Sequence, residues 1–152
     1  PVFEETDSSA EDRRRGVYFA DYARRLKELV SMPLALTGGF RSAADMEEAV
    51  SEGLTDLVGV GRPLALIPDL PQRILDGAGR RRIELPRIST RVKALDEALG
   101  GVLVIGWYEM QMHRLAQGGY ASAQGNGLAA LAFTLRRHGL GALMPRRVAR
   151  RG

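Results

Sequence analysis

Cysteine is absent from these 152 residues and histidine occurs only twice. The first absence removes disulfide frameworks, thiolate nucleophiles and cysteine-based metal sites, and it fits a reducing, cytoplasmic setting. Aromatic residues make up 6% of the chain, and none alternates with the arginine clusters at 80–82 and 146–151. Without rings on which bases can stack, those clusters lack half of what a nucleic-acid surface uses, so no nucleic acid is expected as a partner. Long apolar runs are missing too. The longest, Val102 to Tyr108, is broken by Gly106 and stops at Glu109, well short of the roughly 18 residues that a membrane span needs. Pro1 to Arg15 is acidic and then arginine-rich, with no apolar stretch of the signal-peptide kind. No methionine opens the chain, and the expectation is a piece cut from something longer.

What remains is ordinary globular composition, 45% hydrophobic and 26% charged, with a net charge of +4. Gly16 to Val30 reads as an amphipathic helix: Phe19, Tyr22, Ala23, Leu26, Leu29 and Val30 recur at helical spacing, opposite Arg24, Arg25, Lys27 and Glu28. Met32-Pro33 ends it. Pro33 to Thr37 is a short apolar run closed by Gly38-Gly39, the pattern of a buried strand. Ser42 is placed to cap a helix from Ala43 to Ser51, with Gly53 just past its end. A second buried strand, Asp56 to Val60, is closed by Gly61-Arg62-Pro63, and Pro68-Asp69-Leu70-Pro71 opens a short helix ending near Gly77. Strands alternating with helices imply parallel strands covered by helices.

Beyond Arg80 the pattern turns helical. Val92 to Leu99, capped by Ser89 or Thr90, then Leu103 to Leu115 and Leu128 to Arg137 read as three helices separated by glycine-rich breaks at Gly100-Gly101 and Gly118 to Gly127. No strand signal follows Val60, and the last residues are expected to be mobile. The expected organisation is residues 1–80 as two β/α units and 81–152 as a helical extension with a basic tail. Two parallel strands are too few for a stable sheet, which again points to missing N-terminal strands.

Chemistry concentrates at the two strand ends. Glycine lets backbone approach a ligand closely and adopt positive φ, and the exposed N–H groups of such turns favour an anion. In (β/α)8 barrels the usual phosphate site lies in the loops after strands seven and eight. Two consecutive strand–glycine units match that arrangement, and Arg62 adds a guanidinium able to grip an anion in bidentate fashion. Either turn alone is better explained by tight βα geometry; together, with Arg62, they shift the balance to a phosphate.

The strings Thr37-Gly38-Gly39-Phe40-Arg41, Asp56-Leu57-Val58-Gly59-Val60-Gly61-Arg62-Pro63-Leu64 and Pro68-Asp69-Leu70-Pro71 resemble the end of the old yellow enzyme family, the NADH:flavin oxidoreductases or ene-reductases. The likeness runs from about Tyr18 to Gly77 and loosens past Leu85. It implies the C-terminal portion of a TIM barrel, its last two β/α units, and an FMN cofactor reduced by NADH or NADPH that passes hydride to an acceptor such as an activated alkene. By the same resemblance, the N–H groups of Gly38, Gly39, Gly61 and Arg62 hold the FMN phosphate, the Arg62 guanidinium adds charge, and Phe40 packs near the flavin edge. The family's substrate-anchoring His pair or His/Asn pair and its proton-donating Tyr come from earlier strands. Nothing here supplies them, so no catalytic residue is assigned and the chain alone is expected to be inactive. Other phosphate-binding barrels, of the dihydroorotate-dehydrogenase or tRNA-dihydrouridine-synthase kind, stay as alternatives, as does a non-enzymatic basic interaction module.

The remaining candidates read as structural. His113 has no second ligand at helical spacing for a metal, and His138 sits at a helix C-terminus where a positive ring complements the dipole. Tyr18 and Tyr22 fit the apolar stripe of the first helix and are expected in the core. The neighbouring acids Glu47-Glu48 and Asp96-Glu97 point about 100° apart on their helices and read as solvated faces. Trp107 and Tyr108 belong to the most apolar helix, expected in the core, with a homo-oligomer contact as the second reading.

Overall fold

A computed structural model describes residues 17, 19–77 and 81–143, which divide into two compact units at Leu85–Pro86. In the first unit the order is helix α1 (Ala20–Leu29), strand β1 (Ala35–Thr37), helix α2 (Ala43–Ser51), strand β2 (Leu57–Gly59) and the short helix α3 (Leu70–Leu75). In the second, helices α4 (Lys93–Ala116) and α5 (Gly127–His138) pack on each other and a 3-10 turn follows at Leu140–Leu143.

The strands are parallel, as their alternation with helices implies. Ala35 lies opposite Leu57, Leu36 opposite Val58, and Thr37 opposite Gly59. This register brings both C-terminal glycine turns to the same end of the sheet. Thr55 and Asp56 fix where β2 begins. The buried Thr55 hydroxyl lies 2.8 Å from the carbonyls of Leu34 and Leu57, while an Asp56 carboxylate oxygen accepts from the Leu34 N–H at 2.7 Å. The same oxygen takes a hydrogen bond from Lys27, tying α1 to the strand entrance. Those contacts hold the Asp56 carboxyl below its ordinary pKa, the Leu34 N–H being the larger cause and Lys27 the second.

Helix α2 follows the sequence closely. The Asp45 N–H donates to Ser42 Oγ at 3.2 Å, and Gly53 takes φ +71° immediately beyond the helix end. Its Ala43, Met46 and Ala49 are buried, and Met46 and Ala49 join Ala20, Ala23, Leu36 and Phe40 in the core. Helix α3 likewise ends at Gly77, φ +78°.

Several expectations are corrected. Both strands span three residues, and of β1 only Leu36 is buried, while Leu57 in β2 is 62% exposed. Among the described residues each strand has a single hydrogen-bonded neighbour, so a fully buried strand, as was expected, is not formed by them. Tyr22 is 61% exposed rather than core, because α1 buries its alanine side, Ala20 and Ala23. Tyr18, Arg80 and the termini at 1–15 and 146–151 lie outside the described residues.

The second unit holds the largest difference. Where two helices were expected, α4 runs unbroken through Gly100-Gly101 for 24 residues. Two interior glycines cost about 1 kcal/mol each relative to alanine. The burial of Leu103, Trp107 and Tyr108 immediately downstream outweighs this. Trp107 is fully buried, donates Nε1–H to the Gln124 carbonyl at 3.1 Å and meets Tyr108 edge-on at 5.0 Å. The core reading of this pair therefore holds. Neither Ser89 nor Thr90 caps α4; Val92 occupies that position without a side-chain cap. The direction is reversed: Asp96, inside the helix, reaches back to accept from Ser89 Oγ at 2.6 Å, Thr90 N–H at 2.8 Å and Thr90 Oγ1 at 2.6 Å. Asp96 thus locks the preceding loop from a half-exposed position, a role beyond that of the solvated face expected for it. Asn126 caps α5, its side chain accepting from the Ala129 N–H at 3.0 Å.

Candidate functional site

The two glycine turns line one cavity of about 200 Å³ at the C-terminal ends of β1 and β2. The first turn contributes Thr37, Gly38, Gly39, Phe40 and Arg41. The second contributes Gly59 to Pro63, and Leu85 closes a side. All five residues named from the sequence therefore border the same space. Gly38 at φ +129° and Gly39 at φ +86° occupy the region that L side chains rarely enter. Phe40 is 3% exposed, seated in the core beneath the turn while bordering the cavity. Gly61 is open, and a Cβ there would meet nothing within 4 Å.

Gly59 has a different role. A Cβ on it would fall 1.8 Å from Thr37 Oγ1 and 2.8 Å from Thr37 Cβ. Rotating the threonine cannot relieve the second contact, so glycine at β2's last residue is what lets Thr37 stand over the strand pair. Thr37, Arg41 and Leu85 went unmarked as site residues in the sequence. Thr37 was detectable as the residue ending the strand. Leu85 was not, because it reaches the cavity through the chain's return path, where the Ile83 N–H donates to the Arg41 carbonyl at 2.7 Å.

Electrostatically the cavity is one-sided. No carboxylate borders it, whereas Arg41 and Arg62 both do, and neither has an ion-pair partner among the described residues. The nearby acid Asp45 contacts Arg82 at 3.5 Å, an ionic contact too long for a good hydrogen bond. Positive-φ glycines and two arginines thus stand together in the lining of one cavity.

Elsewhere the histidines serve structure. His113 packs its ring against Phe133 at 6.0 Å and lies 3.2 Å from Gln117. His138 is 2.9 Å from Glu109, which also pairs with Arg137 at 3.0 Å, a partner the sequence did not reveal. No described helix is long and apolar enough to cross a membrane.

The described residues of the first unit form a small α/β arrangement whose two glycine turns border one cavity. The chain is 39% identical over 69 residues to the NADH-dependent flavin oxidoreductase iliE of Hypocrea jecorina (strain QM6a), which covers 45% of this chain and 17% of that protein. It is 42% identical over 59 residues to the NADH-dependent flavin oxidoreductase iccE of Talaromyces variabilis, covering 38% and 14%. The bilirubin reductase of Mediterraneibacter gnavus (strain CC55_001C) is 33% identical over 64 residues, covering 42% and 10%. The chain thus spans less than a fifth of the length of these curated relatives. No family model and no solved structure matches it. The resemblance to NADH:flavin oxidoreductases read from the sequence holds, over part of the chain.

Proposed function

We propose that this chain is the C-terminal part of an FMN-dependent (β/α)8-barrel oxidoreductase of the old yellow enzyme type, and that its two glycine turns hold the FMN phosphate. The observation that carries the reading is the shared cavity: two turns from adjacent parallel strands bring glycines and two arginines, with no carboxylate among the described lining residues, around one space of about 200 Å³. In the longer enzyme, β1 and β2 are the last two barrel strands, and exposed Leu57 is covered by elements that this chain does not supply.

When bound, the flavin carries the hydride chemistry, taking it from a nicotinamide and giving it to an acceptor such as an activated alkene. The relatives' names favour NADH as the donor. This chain's residues bind and orient. The N–H groups of Gly38, Gly39, Gly61 and Arg62 donate to phosphate oxygens, the Arg62 guanidinium balances charge, and buried Phe40 keeps the first turn from collapsing. Rigid anchorage of the phosphate tail fixes the ring at the far end of the same molecule.

The test is Arg62→Ala in that longer enzyme. Loss of one charge-assisted contact, about 1.5–3 kcal/mol, lowers FMN affinity by roughly ten- to a hundredfold, read as flavin absorbance lost on dialysis with the fold intact by circular dichroism. Full flavin retention after exhaustive dialysis removes Arg62 from the site.

A further inference from the structure

We infer that Asn126-Gly127 is a modification site: a spontaneous deamidation pair, held dormant by the Ser89–Asp96 loop and exposed to reaction when that loop opens. Asn126 is the single asparagine of the chain. It is exposed, while Gly127 beside it is buried. Packing dictates both residues. Asn126 caps α5 through Oδ1, which accepts the Ala129 N–H at 3.0 Å. A Cβ on Gly127 would fall 2.6 Å from the Ser89 carbonyl carbon and 2.7 Å from Thr90 N, backbone atoms that cannot swing aside. The cap asks for a short polar side chain, and the close approach of residues 89–90 asks for glycine. Together they create the dipeptide in which cyclisation is least hindered, because no side chain shields the following nitrogen.

The reaction needs only water. The Gly127 nitrogen, having lost its proton, attacks Cγ of Asn126. The N–Cγ bond forms, the Cγ–Nδ2 bond breaks, and Nδ2 leaves as ammonia carrying that proton. Water then opens the succinimide at either carbonyl, giving aspartate or isoaspartate, each with one new carboxylate. In the fold both reacting groups are engaged. The Gly127 N–H donates to the Ser89 carbonyl at 2.9 Å, and Asn126 pairs with Ser89 in a parallel bridge. Ser89 is held in turn by Asp96, which also holds Thr90. Ring closure therefore requires residues 89–90 to lift away, so the rate follows the population of the open loop. The two products differ in consequence. Aspartate keeps the cap and adds negative charge at a helix N-terminus, where it is favourable, beside a cavity of about 580 Å³ that Arg91 also lines. Isoaspartate inserts a methylene into the main chain and breaks the register by which Gly127 meets Ser89.

The experiment incubates the 152-residue chain in mildly alkaline buffer, native or unfolded in guanidinium, and follows the tryptic peptide from Leu115 to Arg136. Its asparagine, aspartate and isoaspartate forms are separated by chromatography and weighed. Unfolded chain is expected to deamidate at Asn126 with isoaspartate as the major product, and native chain at least about tenfold more slowly. Ser89→Ala and Asp96→Ala, each checked for folding by the emission of Trp107, are expected to speed the native reaction roughly threefold or more, since each removes a charge-assisted contact of the lock. Exchange of the Gly127 amide should quicken in step. Should both variants unfold, wild type in graded guanidinium below its transition carries the test, deamidation rising in parallel with Gly127 exchange. Equal rates in native and unfolded wild type would show that the loop guards nothing. Variant rates at the wild-type value despite faster Gly127 exchange would remove the lock as the gate, and an Asn126 that survives in the unfolded chain overturns the site itself.

Discussion

Asp96 commits both carboxylate oxygens to the loop that leads into its own helix. One takes the Ser89 hydroxyl, the other the N–H and hydroxyl of Thr90. Between them and the helix, Arg91 adopts φ +66°, a conformation that costs a non-glycine residue on the order of 1 kcal/mol. The Arg91 N–H donates to Ser89 Oγ at 2.9 Å, so the hydroxyl that feeds Asp96 also holds the strained residue. The Ser89 hydroxyl first, and Thr90 after it, depress the Asp96 pKa below its ordinary value of 3.8. A depressed folded-state pKa contributes stability that is fully present above the unfolded value and is lost as pH falls through the folded value. Urea unfolding followed by the fluorescence of Trp107, the single tryptophan, is therefore expected to lose midpoint as pH drops below about 4. Asp96→Asn is expected to lie lower at neutral pH and to flatten that acid limb. Parallel acid limbs in the two proteins would show that Asp96 does not act as a lock.

Among the elements, α4 separates glycines that merely weaken a helix from one that its packing requires. A Cβ at Gly100 or Gly101 meets nothing within 4 Å, while one at Gly106 falls 2.1 Å from Thr134 Oγ1 and 3.2 Å from the Ala130 carbonyl. At Gly106 the helix α5 comes too close to admit a Cβ, and buried Ala130 and Thr134 face it. Gly100→Ala and Gly101→Ala are each expected to raise stability by roughly 0.5–1 kcal/mol, whereas Gly106→Ala is expected to lower it by about 1–3 kcal/mol. Thermal unfolding of the three variants checks this, and equal shifts of one sign would refute it. The same glycines explain what could be read in advance. Ser42, Gly53 and Gly77 announce helix ends through local hydrogen bonding and positive φ, which depend only on neighbouring residues. Gly100-Gly101 reads locally as a break, and only the burial of Leu103 and Trp107 against α5 overrides it. The site divides in the same way. Gly38, Gly39, Gly61 and Arg62 stand at strand ends visible in the sequence, while Leu85 and the unopposed charge of Arg41 emerge only once the chain has folded back.

For the whole molecule, the two units differ in how their cores are built, while both leave large apolar side chains exposed, Leu29 and Leu57 in the first and Ile105 and Leu140 in the second. The second encloses Leu103, Trp107 and Gln111 completely, with Gln111 accepting from the Ser122 N–H at 2.7 Å. The first rests on two three-residue strands, and Leu29 (81% exposed), Met32, Leu57 and Leu75 face outward. A two-stranded sheet is marginal in water, and apolar area left exposed forgoes about 25 cal/mol per Å². Cooperative unfolding of the chain as one body is therefore not expected. In the isolated chain, hydrogen exchange at Ala35–Thr37 and Leu57–Gly59 should report an opening free energy lower than that at Leu103–Gln111, because local opening follows the burial of each cooperative unit. Adding the missing neighbours, in the longer enzyme of the proposal, should raise protection of the two strands by at least about tenfold and leave the α4 amides nearly unchanged, since only the strands gain hydrogen-bonded edges. Strand amides as well protected in the isolated chain as those of α4 would mean that the first unit is complete by itself, and the barrel-fragment reading would lose its physical basis.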